Sequence, residues 1–148
     1  MIFWLICSFL IIFIDQVTKY IALTRLEGLE VTFIPKVIDF VYVKNNGAAF
    51  NILSGKIELL SLISVVFAVG VIWYIIYKKP QNKMFRLSLM LLFAGAVGNV
   101  IDRIFRGFVV DFIKTTFIDF PVFNIADIAI VCGAILLSVY VLFFENRK

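Results

Sequence analysis

The chain reads as an all-α membrane protein with four transmembrane helices and a small β-containing extracytoplasmic cap. Three observations carry that reading. Of its 148 residues, 63% are hydrophobic and only 16% charged, and its mean hydropathy is +1.06, whereas soluble domains are nearer half apolar and about a quarter charged. A chain of this size leaves much of its surface exposed, so it cannot hide that much apolar material from water. The apolar residues also gather into four runs near the length of about 20 residues that a bilayer core demands.

The spans fall at about residues 2–23, 57–77, 84–101 and 125–144, within a single integral membrane domain covering 1–148. The first lacks the basic leader and small-residue cleavage site of a signal peptide, so it reads as a retained helix. Between the first two spans, residues 25–55 form the cap. There Val37–Lys44 is rich in β-branched and aromatic residues, as a short strand is, with Pro35 upstream and Gly47 marking a turn. Ser54 is the expected N-cap of the second span. Pairs of small residues four apart, Ala94 with Gly98, Ala129 with Gly133 and Ala134 with Ser138, are the close-approach patches through which helices associate in lipid.

Short basic loops set orientation. The link between spans two and three holds Lys78, Lys79, Lys83 and Arg86 without an acid, and the chain ends Arg147-Lys148, so both termini are expected on the cytoplasmic side. The other side has basic residues too (Arg25, Lys36, Lys44, Lys56, Arg103, Arg106 and Lys114), but spread more thinly. The net charge of +4 forms no basic stripe, and no nucleic-acid partner is expected.

Histidine is absent, which excludes Ser-His-Asp and Cys-His catalysis and His-ligated metals or haem. Cys7 and Cys132 sit in separate apolar runs, arguing against a disulfide framework or a cysteine zinc site. Neither metal nor cofactor is expected.

Ionisable residues in a span are costly and mark function by default. Counting at 1.5 Å per residue puts Asp15 roughly 20 Å along the first helix, in its outer half. Lys19 is four residues on, on the same face. Helix three ends in Asn99-Val100-Ile101-Asp102-Arg103, helix four opens with Asn124 and Asp127, Asp111 lies in the loop between them, and Asn45, Asn46 and Asn51 come from the cap. Distant stretches thus deliver polar groups to one level near the outer interface, while the inner halves of the spans carry almost none.

Singly, each has a plainer reading. Asp15 and Lys19 could be an interfacial pair with a snorkelling lysine, Asp102-Arg103 could merely end helix three, and Asn124 with Asp127 could be capping residues. The phenylalanines 105, 108, 112, 117, 120 and 123 read as an interfacial aromatic belt. Asp111, between Val110 and Phe112, has no local structural reason to be there. Two aspartates sharing a proton can hydrolyse a peptide bond without histidine, cysteine or metal, one activating water and the other protonating the carbonyl oxygen. Asp111 and Asp127 are the candidates, with the helix dipole biasing Asp127 toward the ionised role. The competing reading, a proton-coupled carrier or a scaffold, lacks the charged path a carrier needs through the inner half.

Five blocks in order resemble the lipoprotein signal peptidases (signal peptidase II) of bacteria. They are Asp15-Gln16-Val17-Thr18-Lys19, Asn45-Asn46-Gly47-Ala48-Ala49-Phe50, Gly95-Ala96-Val97-Gly98-Asn99-Val100-Ile101-Asp102-Arg103, Val109-Val110-Asp111-Phe112, and Phe120-Pro121-Val122-Phe123-Asn124-Ile125-Ala126-Asp127. The resemblance implies an aspartyl endopeptidase of the bacterial cytoplasmic membrane, active near its extracytoplasmic face, that removes the signal peptide from diacylglyceryl-modified prolipoproteins. It implies Asp111 and Asp127 as the catalytic pair. Asp15, Lys19, Asn45, Gly47, Asn99, Asp102, Arg103 and Asn124 would line the site. Lipidated prolipoproteins and membrane lipids are the expected partners, and the protein is expected to act as a monomer.

Overall fold

The computed structural model describes residues 2–47 and 53–144. Ala48, Ala49, Phe50 and Asn51 of the cap, and the basic pair Arg147-Lys148, lie outside the described residues. Among the described residues, four helices are long and apolar enough to cross a membrane: α1 (Ile2–Arg25), α2 (Ile57–Lys78), α3 (Lys83–Arg106) and α4 (Ile125–Phe143). Three strands, β1 (Glu30–Ile34), β2 (Ile38–Asn45) and β3 (Val109–Thr115), make one antiparallel sheet in the order β1-β2-β3.

The central helix is α3, packed against α1, α2 and α4. Asn82 starts it, its side chain accepting from the backbone N–H groups of Met84 and Phe85, and Gly107 stops it in the left-handed conformation. The expected end at Ile101 was too early: Asp102 and Arg103 continue the helix, and Asp102 pairs with Arg106 one turn on. Ser54 is not the cap of α2, which starts after Lys56 without a side-chain cap.

Small residues decide how closely α3 and α4 approach. A Cβ on Gly95 would stand 2.4 Å from the Ala126 carbonyl oxygen, and one on Gly133 would stand 2.9–3.0 Å from Leu92 and the Ser88 carbonyl. Ala94, Gly98, Ala129 and Gly133 are all buried, whereas Ala134 and Ser138 face outward, so that third pair packs no helix. Ser138 instead donates to the Ala134 carbonyl.

Two apolar clusters hold the ends. Val71, Ile75, Leu89 and Met90 pack with Trp4, Phe85 and Phe93 in one half of the bundle. In the other, Ala22 of α1 meets Val110, Phe112 and Ile113 of β3, with Phe40, Phe108 and Phe123 against them. The sequence expectation of a single strand in 25–55 with a loop through Asp111 is therefore corrected. The Val109–Ile113 stretch is β-branched and aromatic because it is a strand buried between α1 and β2. The aromatic belt shrinks accordingly: Phe105 and Phe117 are well exposed and Phe120 is exposed too, but Phe112 is core.

Gly95→Ala should destabilise the bundle by about 1–3 kcal/mol through overpacking. Gly70→Ala, where the added methyl meets nothing within 4 Å, should be neutral or slightly stabilising, because alanine favours helix. Thermal unfolding of both variants in detergent checks the contrast.

Candidate active site

Antiparallel register explains the first half of the site. Val43 stands opposite Asp111 and Asn45 opposite Val109, so alternation puts Val43, Asn45, Val109 and Asp111 on one sheet face. Val110 and Phe112 point to the other face, into the apolar cluster. Asn45 thereby reaches diagonally to donate to Asp111 Oδ2 at 2.8 Å. The start of β3 is pinned to α3: the Val110 N–H donates to Asp102 Oδ2 at 2.9 Å.

The second half is a helix N-terminus. Asn124 caps α4, its Oδ1 accepting the Asp127 N–H at 2.9 Å, while Asp127 Oδ2 accepts the Asn124 N–H at 3.2 Å. This reciprocal capping box is also a chemical link, because the Asn124 Nδ2 donates to Asp111 Oδ1 at 2.7 Å and to Asn99 Oδ1 at 3.2 Å. Asn99 in turn donates from Nδ2 to Asp127 Oδ1 at 2.8 Å. Each aspartate oxygen thus accepts one N–H, from an asparagine side chain in three cases and from the backbone at the α4 cap in the fourth.

Behind this layer lies a largely buried ionic cluster. Asp15, Lys19 and Asp102 have fully buried side chains. The Lys19 Nζ lies 2.9 Å from Asp15 Oδ2, 3.3 Å from Asp102 Oδ2 and 2.9 Å from Asn99 Oδ1. Arg106 pairs with Asp102 and donates to Gln16 Oε1, whose amide reaches Asp15, Asp102 and the Gly98 carbonyl. Asp15 Oδ1 accepts the Ala126 N–H at 2.9 Å, tying α1 to the first turn of α4. Gly98 permits this, since a Cβ there would be 2.7 Å from Asp15 Oδ2. The pair is therefore no snorkelling surface bridge.

A cavity of about 830 Å³ opens beside the aspartates. Its polar end presents Asn45, Asn99, Arg103, Asp111 and Asp127, and its larger part is apolar, with Leu60, Ile63, Phe67, Leu92 and Val131 from α2, α3 and α4. The sequence expectation that all ten residues line one site needs division. Asp15, Lys19, Asp102 and Asn124 stand behind the lining, with no exposed surface. Gly47 is buried at the cap edge, its carbonyl accepting from Arg103 at 3.2 Å. Gln16 and Arg106 were missed. Asp102 to Arg106 is an i,i+4 spacing, and Gly107 was the available sign that α3 runs that far.

Burial pushes the Asp111 carboxyl up to about 7, and the nearby Asp127 charge adds to the rise, against the donations of Asn45 and Asn124. Arg103 lies within electrostatic reach of Asp111, Asp127 and Asp102. Among the described residues, no three His, Cys, Asp or Glu side chains are gathered so as to hold a metal ion. Two carboxyl groups of unequal environment, beside a cavity and on fixed donors, suit general acid–base hydrolysis.

Comparison with known proteins gives a consistent picture. A family model described as signal peptidase (SPase) II matches residues 7–143. A lipoprotein signal peptidase of Lactobacillus johnsonii is 41% identical, covering 97% of this chain and 94% of the relative. One from Staphylococcus aureus is 43% identical, covering 97% and 90%. Among solved structures, a bacterial membrane enzyme determined in meso at 2.3 Å superimposes with a TM-score of 0.90 at 37% identity, covering 98% of this chain and 91% of that one. A second, at 1.9 Å, gives 0.86, also at 37% identity, covering 97% and 94%.

The double role of Asn124 separates two variants. Asn124→Ala removes the cap, and the cap's share of the cost, about 1 kcal/mol, persists when the carboxyls are protonated. Asn124→Asp keeps the cap acceptor but sets a third carboxylate against Asp111, so its unfolding temperature should recover as pH falls and the carboxyls protonate. Thermal melts from acid to neutral pH read the difference, and the two variants should not show the same pH response.

Proposed function

The chain belongs to the signal peptidase II family, and from that premise we propose that Asp111 and Asp127 are the catalytic pair of a prolipoprotein signal peptidase. It is a multi-pass bacterial membrane protein and a peptidase. The finer reading is that it acts as a monomer on diacylglyceryl-modified precursors, at the extracytoplasmic face, with both termini in the cytoplasm. The basic α2–α3 link at Lys78, Lys79, Lys83 and Arg86 supports that orientation.

The observation that carries the reading is the junction of Asp111 and Asp127 with a largely apolar cavity flanked by membrane-spanning helices. The substrate's signal helix and acyl chains find apolar surface there, and its scissile peptide meets the polar end. Roles follow from environment. Asp127, in the first turn of α4 with the backbone dipole behind it, serves as the ionised base. Asp111, pushed up to about 7 mainly by burial, serves as the acid. Charge balance agrees: Asp15 and Asp102 are matched by Lys19 and Arg106, and Arg103 matches an aspartate pair that retains one proton. A low-dielectric setting penalises any other count.

In the reaction, Asp127 accepts a proton from a water whose oxygen bonds to the carbonyl carbon before the lipidated cysteine. Asp111 gives its proton to the carbonyl oxygen, forming a gem-diol. The C–N bond then breaks as Asp127 passes its proton to the leaving nitrogen and a diol hydroxyl returns one to Asp111. The dyad ends as it began, with one proton in the pair.

Asp111→Asn and Asp127→Asn should keep the wild-type unfolding temperature within a few degrees. Each should lower release of signal peptide from a lipidated precursor about a thousandfold, within the range of acid–base contributions. Retained cleavage in a folded variant removes that residue from the pair. In the wild type, kcat/KM should fall as pH rises above about 7, because Asp111 then loses the proton it must donate.

A further inference from the structure

We infer that Lys19 is a positioning residue for this reaction, acting through the side-chain amide of Asn99; the inference rests on the catalytic pair proposed above. Lys19 has three N–H bonds and three partners, all on buried side chains. Two partners, Asp15 and Asp102, are carboxylates. The third is a neutral amide oxygen, which neutralises nothing. Its consequence is direction.

An asparagine amide can turn half over, exchanging its acceptor and donor ends at little cost to shape. At Asn99 that exchange would set an NH2 group against the Lys19 ammonium at 2.9 Å and an oxygen against Asp127 Oδ1 at 2.8 Å. Donor would face donor and acceptor would face acceptor in a buried site, where an unmet polar group pays its full desolvation penalty. Lys19 cannot accept a hydrogen bond, so its 2.9 Å donation, with the longer 3.2 Å donation from Asn124 Nδ2 beside it, fixes Asn99 with Nδ2 toward Asp127. It also polarises that amide, strengthening the donation beyond it. Asn124 is fixed in the same sense from the other side, because its Oδ1 must meet the Asp127 N–H. The two amides therefore present only N–H groups to the aspartate carboxyls, and the orientation of the Asp127 carboxyl is set.

The alternative is that Lys19 only balances the Asp15 and Asp102 charges. Lys19→Met alone would leave those charges short of a cation and would not separate the two readings. The decisive variant is Asp15→Asn with Lys19→Met, which removes one charge of each sign and leaves an amide oxygen at position 15 for the Ala126 N–H. In protein that melts within a few degrees of wild type, kcat for a lipidated precursor should fall about a hundredfold, the scale of a small misplacement of reacting groups, with KM changed no more than about twofold. A wild-type kcat in that folded variant overturns the inference, and so does a raised KM with kcat unchanged, which would make Lys19 a substrate-binding group.

Should the double variant fail to fold, Asn99→Ser decides, because it changes no charge, leaves a hydroxyl on the Lys19 side and is too short to donate to Asp127; kcat should drop by a similar factor with KM little changed, and near-normal turnover overturns the inference. Wild-type cleavage is read beside each. If the wild type itself does not release signal peptide, the functional reading fails and takes this one with it, whereas normal wild-type turnover with unimpaired variants defeats this one alone.

Discussion

Everything at the candidate active site depends on one buried ammonium group. A lysine with no exposed side-chain surface in an apolar bundle is tolerable only if each N–H has a partner. Lys19 meets that demand with Asp15 from its own helix and Asp102 and Asn99 from α3. Each partner carries the constraint further. Asp15 takes the Ala126 N–H at the start of α4, Asp102 takes the Val110 N–H at the start of β3, and Asn99 donates to Asp127. Asp111 follows Val110 and Asp127 follows Ala126, so the cluster that solves the burial problem also sets where the two candidate catalytic carboxyls stand.

The division of labour follows from dielectric. The inner layer (Asp15, Lys19, Asp102 and Arg106) is electrically complete, two carboxylates against two cations. The outer layer is neutral only when Asp111, Asp127 and Arg103 share one proton, and that is the state from which an acid–base reaction can start. Asn45, Asn99 and Asn124 hold the carboxyls without adding charge, and Asn99 joins the two layers. An amide suits that place, because it donates at one end and accepts at the other.

Much of this was legible in the sequence. Helices betray themselves by length and hydropathy, and the chain's few polar residues inside spans stood out because lipid makes them costly. Asp15 with Lys19 was readable from the i,i+4 spacing, and Asn124 with Asp127 as an N-cap and an acid near the positive end of the helix dipole, though not their reciprocal capping box. Strand β3 was not, because seven residues between two helices read as a connection until β2 supplies their partner. Ser54 looked like a cap but lies too far before Ile57 to serve as one. The separation of lining residues from supporting residues was also hidden, since it depends on which side of a helix faces the cavity, and Gln16 and Arg106 became visible only once α3 was seen to reach Gly107.

The most direct test of the central claim, that two aspartates hold one proton between them in the resting protein, is an infrared titration of the purified protein in detergent. The account predicts a carboxylic acid band that disappears as pH rises through about 7 and is missing from the Asp111→Asn protein. A wild-type protein whose aspartates are all ionised in the ordinary range, about 4, would contradict it.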